Sequence, residues 1–514
     1  MNVLRALALA GVALAWGCTS LPPLEGRVQT HAMHDTATAS TLLGRAVAPL
    51  RAAHPGKSGV HAMPSGTDAF AARAVLAGTA QRSIDAQYYI WHTDETGMLL
   101  FEALAGAARR GVRVRLLLDD QGSHGADEVI AALVLDPNVE VRLYNPFAQR
   151  GMRFSEYLGD FARVNRRMHN KAFIVDNQAA IVGGRNVGNE YFGAGSATPF
   201  QDLDALVTGE VVASVSAEFD RYWNSPSAYP ASIIVAPAAS GAAQALLARF
   251  AEVRAHPDSR AYLEAVRTTP LLAALHERNL ELEWTDVRVV SDDPAKTVDR
   301  SGRRDLLLIG EVAAHGLRAR RNLDMVSPYF VPGEDGARSL EELAHSGVKV
   351  RVLTNSFAAT DVSVVHAGYA KRRCGLARAG VALYELKGVR AEETKRPGAR
   401  SGSSTTSLHA KTYAADGERV FIGSFNFDMR SALLNTEMGL VIESRALAAR
   451  VARYFDERLG ADAYEVRPSE GAGCVEWIER EGGVEVRHEK EPGTGFLRRA
   501  WLGFLSVLPI DWML

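Results

Sequence analysis

The same short pattern occurs twice in this 514-residue chain, and both copies keep the same downstream spacing. The first runs His169-Asn170-Lys171 and on to Asp176; the second runs His409-Ala410-Lys411 and on to Asp416. Each reads H-x-K-x4-D. A small-residue turn and an asparagine follow both: Gly183-Gly184-Arg185-Asn186, and Gly423-Ser424-Phe425-Asn426. In each copy the asparagine stands 17 positions after the histidine. Chance readily produces one such pattern, but two in matching register point to an internal duplication that builds one site from two half-sites.

Side chains of an extended segment alternate between two faces, so His169, Lys171 and Phe173 share one face. Asp176-Asn177 and Asp416-Gly417 suit turns. Ala180-Ile181-Val182 and Val420-Phe421-Ile422 then return as strands ending in small residues, where the backbone can approach a ligand closely. The repetition extends upstream. A strand over Arg82–Ile90, a helix over Met98–Arg110 with Leu99, Leu100, Ala103, Leu104 and Ala107 at helical spacing, and a strand over Gly111–Asp119 are matched in the second half. There the strand is Asn322–Phe330, the helix lies near Ser339–His345, and the next strand is Gly347–Thr354. Val139–Tyr144 and Val381–Leu386 supply a further strand each. This alternation predicts an α/β fold: two duplicated α/β halves with mixed central sheets packed around one shared active site.

The residue types point to phosphate chemistry. Lys171 and Lys411 are positive charges, and Asn186, Asn426 and Ser424 are neutral donors; together they suit the non-bridging oxygens of a phosphate. A histidine from each half provides a nucleophile on one side of phosphorus and a general acid on the other. Lysine and amide donors stabilise charge in the transition state. This scheme requires no metal or other cofactor, and three dispersed cysteines form no metal-ligand cluster. Gly56-Lys57-Ser58 lacks the earlier glycine of a phosphate loop and reads as exposed. A formal net charge of -2 provides no global field to favour nucleic acid, which is not an expected partner.

The duplicated motif resembles the signature of the phospholipase D superfamily. The resemblance implies a phosphohistidine intermediate on one histidine and a proton donated by the other. It also implies an acidic residue that orients a histidine through its second ring nitrogen. Glu437, in Asn435-Thr436-Glu437, is the candidate after the second motif, and Asp202, ahead of Asp204, after the first. Asp176 and Asp416 are expected to brace the motif turns. Within the superfamily, Arg167-Met168-His169-Asn170-Lys171, Gly183 to Phe192, Phe421 to Ser431, Leu434 to Gly439 and the ending Leu508 to Leu514 resemble bacterial cardiolipin synthases, particularly the class C type. That implies transfer of a phosphatidyl group to phosphatidylglycerol, with phosphatidylethanolamine as a possible donor and His169 as the favoured nucleophile. The alternatives are a phospholipase D releasing phosphatidic acid, a nuclease, and a non-catalytic envelope lipoprotein.

The expected organisation is a signal- or lipoprotein-like segment at 1–18, a linker at 19–59, a first phospholipase D-like half at 60–210 and a helical connection at 211–285 that covers the site or joins the halves. A second such half follows at 286–465, with a C-terminal segment at 466–514. The apolar run Ala6–Gly17 is too short to span a bilayer and fits a signal-peptide core. Cys18 after Gly17 resembles a lipoprotein processing site, which places the chain in the bacterial envelope, membrane-associated and lipid-anchored. Cys374 and Cys474 can pair in an oxidising compartment, though spacing alone does not establish it. The basic stretch 390–406 lies just before the second motif, where it can meet an anionic substrate. Trp501, Trp512 and their Leu and Phe neighbours suit either a lipid interface or a helix docked on the protein's own core.

Overall fold

The computed structural model describes residues 21–195, 199–315, 318–388, 407–471 and 473–506. Cys18, the stretch 390–406 and Trp512 lie outside the described residues.

Two large mixed sheets carry the same strands in the same spatial order. In the first the order is Ser58–Met63, Asp204–Gly209, Ala179–Gly183, Ala172–Val175, Ser83–Tyr88, Arg113–Asp119, Val139–Tyr144 and Ala228–Pro230. In the second it is Val287–Ser291, Met438–Glu443, Arg419–Gly423, Lys411–Ala415, Asn322–Val326, Lys349–Asn355, Ala382–Leu386 and Ala463–Pro468. Two more strands, Val475–Glu481 and Val484–His488, extend the second sheet. Three neighbouring strands of each sheet run parallel: Ser83–Tyr88, Arg113–Asp119 and Val139–Tyr144, matched by Asn322–Val326, Lys349–Asn355 and Ala382–Leu386.

The two sheets meet face to face. Ile174, Val182 and Val207 of the first share one buried cluster with Ile422, Leu440 and Ile442 of the second, closed by the helix Val211–Trp223. That helix opens the helical connection expected from residue 211. The outer face of the first sheet is covered by Gly66–Thr79 and Glu95–Arg109, and that of the second by Gly333–His345 and Ser363–Arg378. Two of these helices start earlier than their apolar spacing indicates. Asp94 caps one by accepting from the Gly97 amide, and Gly333, at φ 64°, lets the chain turn into the other.

The helices Ala242–Ala255, Pro257–Arg267 and Pro270–His276 lie on the outer face of the first half, with Leu246, Phe250, Tyr262 and Leu271 in its core. They cover that half's flank and not the site. Residues 283–291 join the halves: Glu283–Thr285 pairs with Ser58–Val60 of the first sheet, and Val287–Ser291 forms the edge of the second. Residues 21–57 lie along the first half, where Arg27 donates to the carbonyls of Asn224, Ser225 and Ala228. Cys374 and Cys474 are disulfide-bonded, with Cα atoms 5.9 Å apart. Among the described residues, no helix is long and apolar enough to cross a membrane.

Buried ion pairs repeat with the fold. Arg115 grips Asp85 through two bonds of 2.6 and 2.8 Å, and Arg351 grips Asp324 at 2.5 and 2.7 Å. Each pair joins the same two parallel strands of its half. The planar guanidinium satisfies both carboxylate oxygens, which offsets the cost of burying the charges.

Candidate active site

His169 and His409 line one cavity of about 360 Å³ between the halves. Neither lies within a strand: the strands begin at Ala172 and Lys411. The reason is a backbone exchange between the halves. The His169 amide donates to the Thr436 carbonyl at 2.8 Å, and the His409 amide to the Gln201 carbonyl at 2.8 Å. Thr436 and Gln201 directly precede Glu437 and Asp202 in the chain. Each motif therefore leaves its own sheet to pair with the acid-bearing segment of the other half.

The side chains cross in the same way. His169 Nδ1 is 2.8 Å from Glu437 Oε2, and His409 Nδ1 is 2.5 Å from Asp202 Oδ2. Both acids expected from the sequence are in place, each serving the histidine of the opposite half. With Nδ1 committed to a carboxylate, the second nitrogen of each ring is left for chemistry. Aromatic neighbours restrict both rings. Tyr89 meets His169 edge-on at 5.0 Å, while Phe200 stacks on His409 at 5.2 Å and Tyr191 meets it edge-on.

The two pairs differ electrostatically. Burial pushes the Glu437 carboxyl up to about 7, against the opposing charge of Lys171. Burial, then Lys171 and Lys411, holds His169 well below its ordinary value. Burial also acts to raise Asp202, but His409, Lys411 and Arg185 outweigh it and keep this carboxylate ionised far down the acid range. His409 is lowered to about 4 by burial and Lys411, with Asp202 opposing. Burial lowers Lys411 to about 8 and sends Lys171 well below its usual range. Each lysine donates to the carbonyl of its own motif histidine, Lys171 at 2.6 Å.

The remaining sequence candidates divide. Asp176 accepts the amides of Gln81, Arg82 and Ser83, and Asp416 those of Arg320, Arg321 and Asn322. Both sit at positive φ in the motif turn and pin it to the start of the matched strand, away from the cavity. Asn186 and Asn426 line the cavity. The Asn186 oxygen accepts the Ile90 amide and its nitrogen donates to Tyr191. Ser424 differs from its expected place as a phosphate donor. Its hydroxyl donates to the Met438 carbonyl and accepts the Met438 amide, which fixes the strand next to Glu437. In the first half the glycines make room for acids, since a Cβ on Gly184 would lie 2.1 Å from Asp202 Oδ1, while in the second a Cβ on Gly423 would strike the Met438 carbonyl of the neighbouring strand.

Sequence reasoning missed the residues that hold the histidine segments. Asp119 accepts from Nε and Nη2 of Arg167 and also from the Met168 amide, one residue before His169. Asn355, at the same strand end in the second half, bonds both the amide and the carbonyl of Leu408, one residue before His409. Asp292, anchored by Lys296 at 3.0 Å, accepts the Glu437 amide. The matched strand ends were a usable signal for the first two; Asp292 and Lys296 have no repeat to betray them.

The family profile described as "Cardiolipin synthase, PLD-like domain" matches residues 76–223 and 317–459, one span in each half. The chain belongs to this family. Its relatives include Cardiolipin synthase C of Escherichia coli K12, 44% identical over 477 residues, 92% of this chain and 99% of that protein. Cardiolipin synthase A of Pseudomonas putida GB-1 is 28% identical, over 71% of this chain and 61% of its own length. Among solved structures, the phosphatidylserine synthase of Haemophilus influenzae Rd KW20 superposes with a TM-score of 0.57 at 15% identity, covering 92% of this chain and 100% of that one, a likeness of fold. The two-sheet phospholipase D-like architecture is thus shared well beyond the cardiolipin synthase relatives.

Proposed function

We propose that the protein is a phosphatidyltransferase of the cardiolipin synthase type, moving a phosphatidyl group from a donor phospholipid to phosphatidylglycerol. The observation that carries this reading is the crossed pair of histidine–carboxylate contacts in one cavity, with both motif lysines beside them. The relationship to Cardiolipin synthase C supports the substrate class.

The electrostatics favour His169 as the nucleophile. Beside a Glu437 carboxyl near neutrality its ring stays uncharged, and Nε2 keeps a lone pair for phosphorus. His409 faces a firmly ionised Asp202, the better partner for an imidazolium. Arrival of a phosphodiester adds a negative charge beside Lys171 and Lys411 and so favours protonation of His409. In the first step His169 Nε2 bonds to phosphorus while the bond to the headgroup oxygen breaks, and that oxygen takes the proton from His409. In the second the acceptor hydroxyl gives its proton to His409 and attacks phosphorus. The phosphorus–nitrogen bond breaks and its electron pair returns to His169. Phosphatidylglycerol as donor releases glycerol; phosphatidylethanolamine releases ethanolamine.

The cavity suits a polyol acceptor. Asn426 Oδ1 and Asn435 Oδ1, on two residues that line the cavity, are buried without hydrogen-bond partners among the described residues. Such acceptors are costly unless a ligand satisfies them, and the hydroxyls of a glycerol headgroup supply the missing donors. The site's place is the bacterial envelope membrane, with anchorage at Cys18; the Cys374–Cys474 disulfide agrees with an exported, oxidising location.

The test is mass spectrometry of lipids after incubation with vesicles of phosphatidylglycerol and phosphatidylethanolamine, beside a His169→Ala/His409→Ala variant. Cardiolipin formed only by the intact protein is the expected result. Phosphatidic acid without cardiolipin would replace the transferase reading by a hydrolase.

A further inference from the structure

Two helices, one in each half, present apolar side chains to solvent close to the cavity. The first, Arg153–Gly159, follows the strand Val139–Tyr144 and carries Phe154 and Leu158, 75% and 74% exposed, with Met152 just before it. The second, Phe496–Ser506, carries Phe496, Leu497, Trp501 and Phe504, all more than half exposed. A soluble surface seldom leaves such side chains grouped on a helix without a use for them.

Both helices are mounted on the site's own framework. Tyr157 of the first packs against Phe147 at 5.7 Å, and Arg167 lies over the same Phe147 ring at 5.3 Å while holding Asp119. Arg167 is two residues from His169. Leu502 and Leu505 of the second pack on Phe357 and Ala367, and Arg498 lies over Phe357 at 5.1 Å. Four residues beyond Phe357, Asp361 lines the cavity. Phe147 follows the strand Val139–Tyr144, whose Tyr144 carbonyl accepts from Arg167, and Phe357 follows Lys349–Asn355, whose Asn355 holds Leu408. The apolar groups therefore flank the cavity, one from each half.

The charge beside them selects the partner. Arg498 and Arg499 donate to the Phe357 and Thr494 carbonyls, and Arg166 and Arg300 to those of Lys296 and Ala162. Their hydrogen bonds go to carbonyl and hydroxyl oxygens, and among the described residues no carboxylate forms an ion pair with these guanidinium groups, which leaves them to meet an external anion. Guanidinium beside Phe, Leu and Trp is the chemistry of an anionic bilayer surface, with rings at the acyl boundary and cations among the headgroups.

We propose that these two helices form a lipid-facing rim that seats the cavity on an anionic bilayer, so that a phospholipid enters without leaving the membrane. The inference rests on the phosphatidyl-transfer reading for its purpose, while the contact itself is a separate physical claim.

The test reads contact rather than turnover. The full chain is mixed with phosphatidylglycerol vesicles bearing brominated acyl chains, which quench tryptophan emission on contact. The intact protein is expected to be quenched, Trp501→Phe to lose part of that quenching, and Phe154→Trp to add to it. An N-terminal anchor leaves these local differences readable. Phe154→Ser/Leu158→Ser is expected to lower turnover of vesicle lipid about tenfold while leaving turnover of short-chain monomeric phosphatidylglycerol within about twofold. Quenching that is unchanged by Trp501→Phe and by Phe154→Trp overturns the rim. Absence of turnover on every lipid, with the quenching pattern intact, counts against the transfer reading and leaves the rim standing.

Discussion

Asp202 and His409 lie 207 residues apart and in different halves, yet their side chains meet at 2.5 Å. Glu437 reaches His169 in the same manner, across 268 residues. Neither half holds a complete histidine–acid pair of its own. The duplication is therefore more than two copies of one site, because each copy completes the other.

This crossing sets which substitutions share an effect. Asp202→Asn and Glu437→Gln are each expected to lower kcat by about 10²–10⁴-fold, the range of a general acid–base contribution. Asp202→Asn should add little in a His409→Ala background and Glu437→Gln little in a His169→Ala background, whereas Asp202→Asn should lower the rate further in a Glu437→Gln background, where both histidines remain. Residual rates in the three double variants check the pairing.

The two acids should respond oppositely to pH. Glu437 is raised from 4.5 to about 7, so the folded protein keeps a proton that the unfolded chain releases in that window. Stability then falls as pH rises from 4.5 to about 7 and stays lower above it. Glu437→Gln lacks this fall, so its melting temperature should match the intact protein at pH 4.5 and exceed it at pH 8. Asp202 is lowered, so its stabilisation is present above the ordinary aspartate range and lost only on strong acidification. Asp202→Asn should therefore melt lower than the intact protein at pH 8. Calorimetry at the two pH values measures both differences.

Lys411 sets an alkaline limit. Its ammonium, lowered to about 8 by burial, loses its proton as pH rises through that value, and an anionic substrate then loses part of its charge complement. KM for vesicle phosphatidylglycerol is expected to rise above about pH 8, whereas the short-range packing of the site is unaffected. A KM that is flat to pH 10 would remove Lys411 from substrate binding.

Asp119 is expected to matter without touching the cavity. Asp119→Ala leaves Arg167 buried and unpaired and frees the Met168 amide, a loss of about 3–5 kcal/mol in unfolding free energy. Asn355→Ala breaks only neutral bonds to Leu408 and should cost about 1–3 kcal/mol. Denaturant titration distinguishes the two, and both variants should lose kcat because His169 and His409 are no longer held.

The disulfide is expected to be a matter of stability alone. Cys374→Ser/Cys474→Ser opens a link across 100 residues, and neither cysteine lines the cavity. It should cost about 2–4 kcal/mol and leave kcat of the surviving protein near its original value. Thermal melts with and without reductant provide the check.

Much of this was legible because the chain repeats. The strand–helix–strand order, both histidines and both lysines are visible in residue types at matched spacing, whereas the acids, 33 and 28 residues after their motif histidines, were legible only through the family resemblance. What the repeat concealed was the exchange: nothing in Asp202 or Glu437 says which histidine it serves, because that depends on how two sheets face each other. Ser424 was misplaced for a similar reason. A hydroxyl near a phosphate motif reads as a donor until Met438 is seen to use it. Asp119 and Asn355 differ in residue type, so their shared position at a strand end did not register as a repeat. The helices at 242–276 are amphipathic, and their pattern gives a buried face but not the half that buries it.

The most direct measurement traps the covalent intermediate. A phosphatidyl donor with a good leaving group removes the need for a general acid in the first step. In His409→Ala the second step then lacks its base, and a phosphatidyl adduct should accumulate on the peptide containing His169, read by mass spectrometry. An adduct on His409 in His169→Ala, with none on His169 in His409→Ala, would contradict the assignment of roles. An adduct on neither would contradict the covalent mechanism itself.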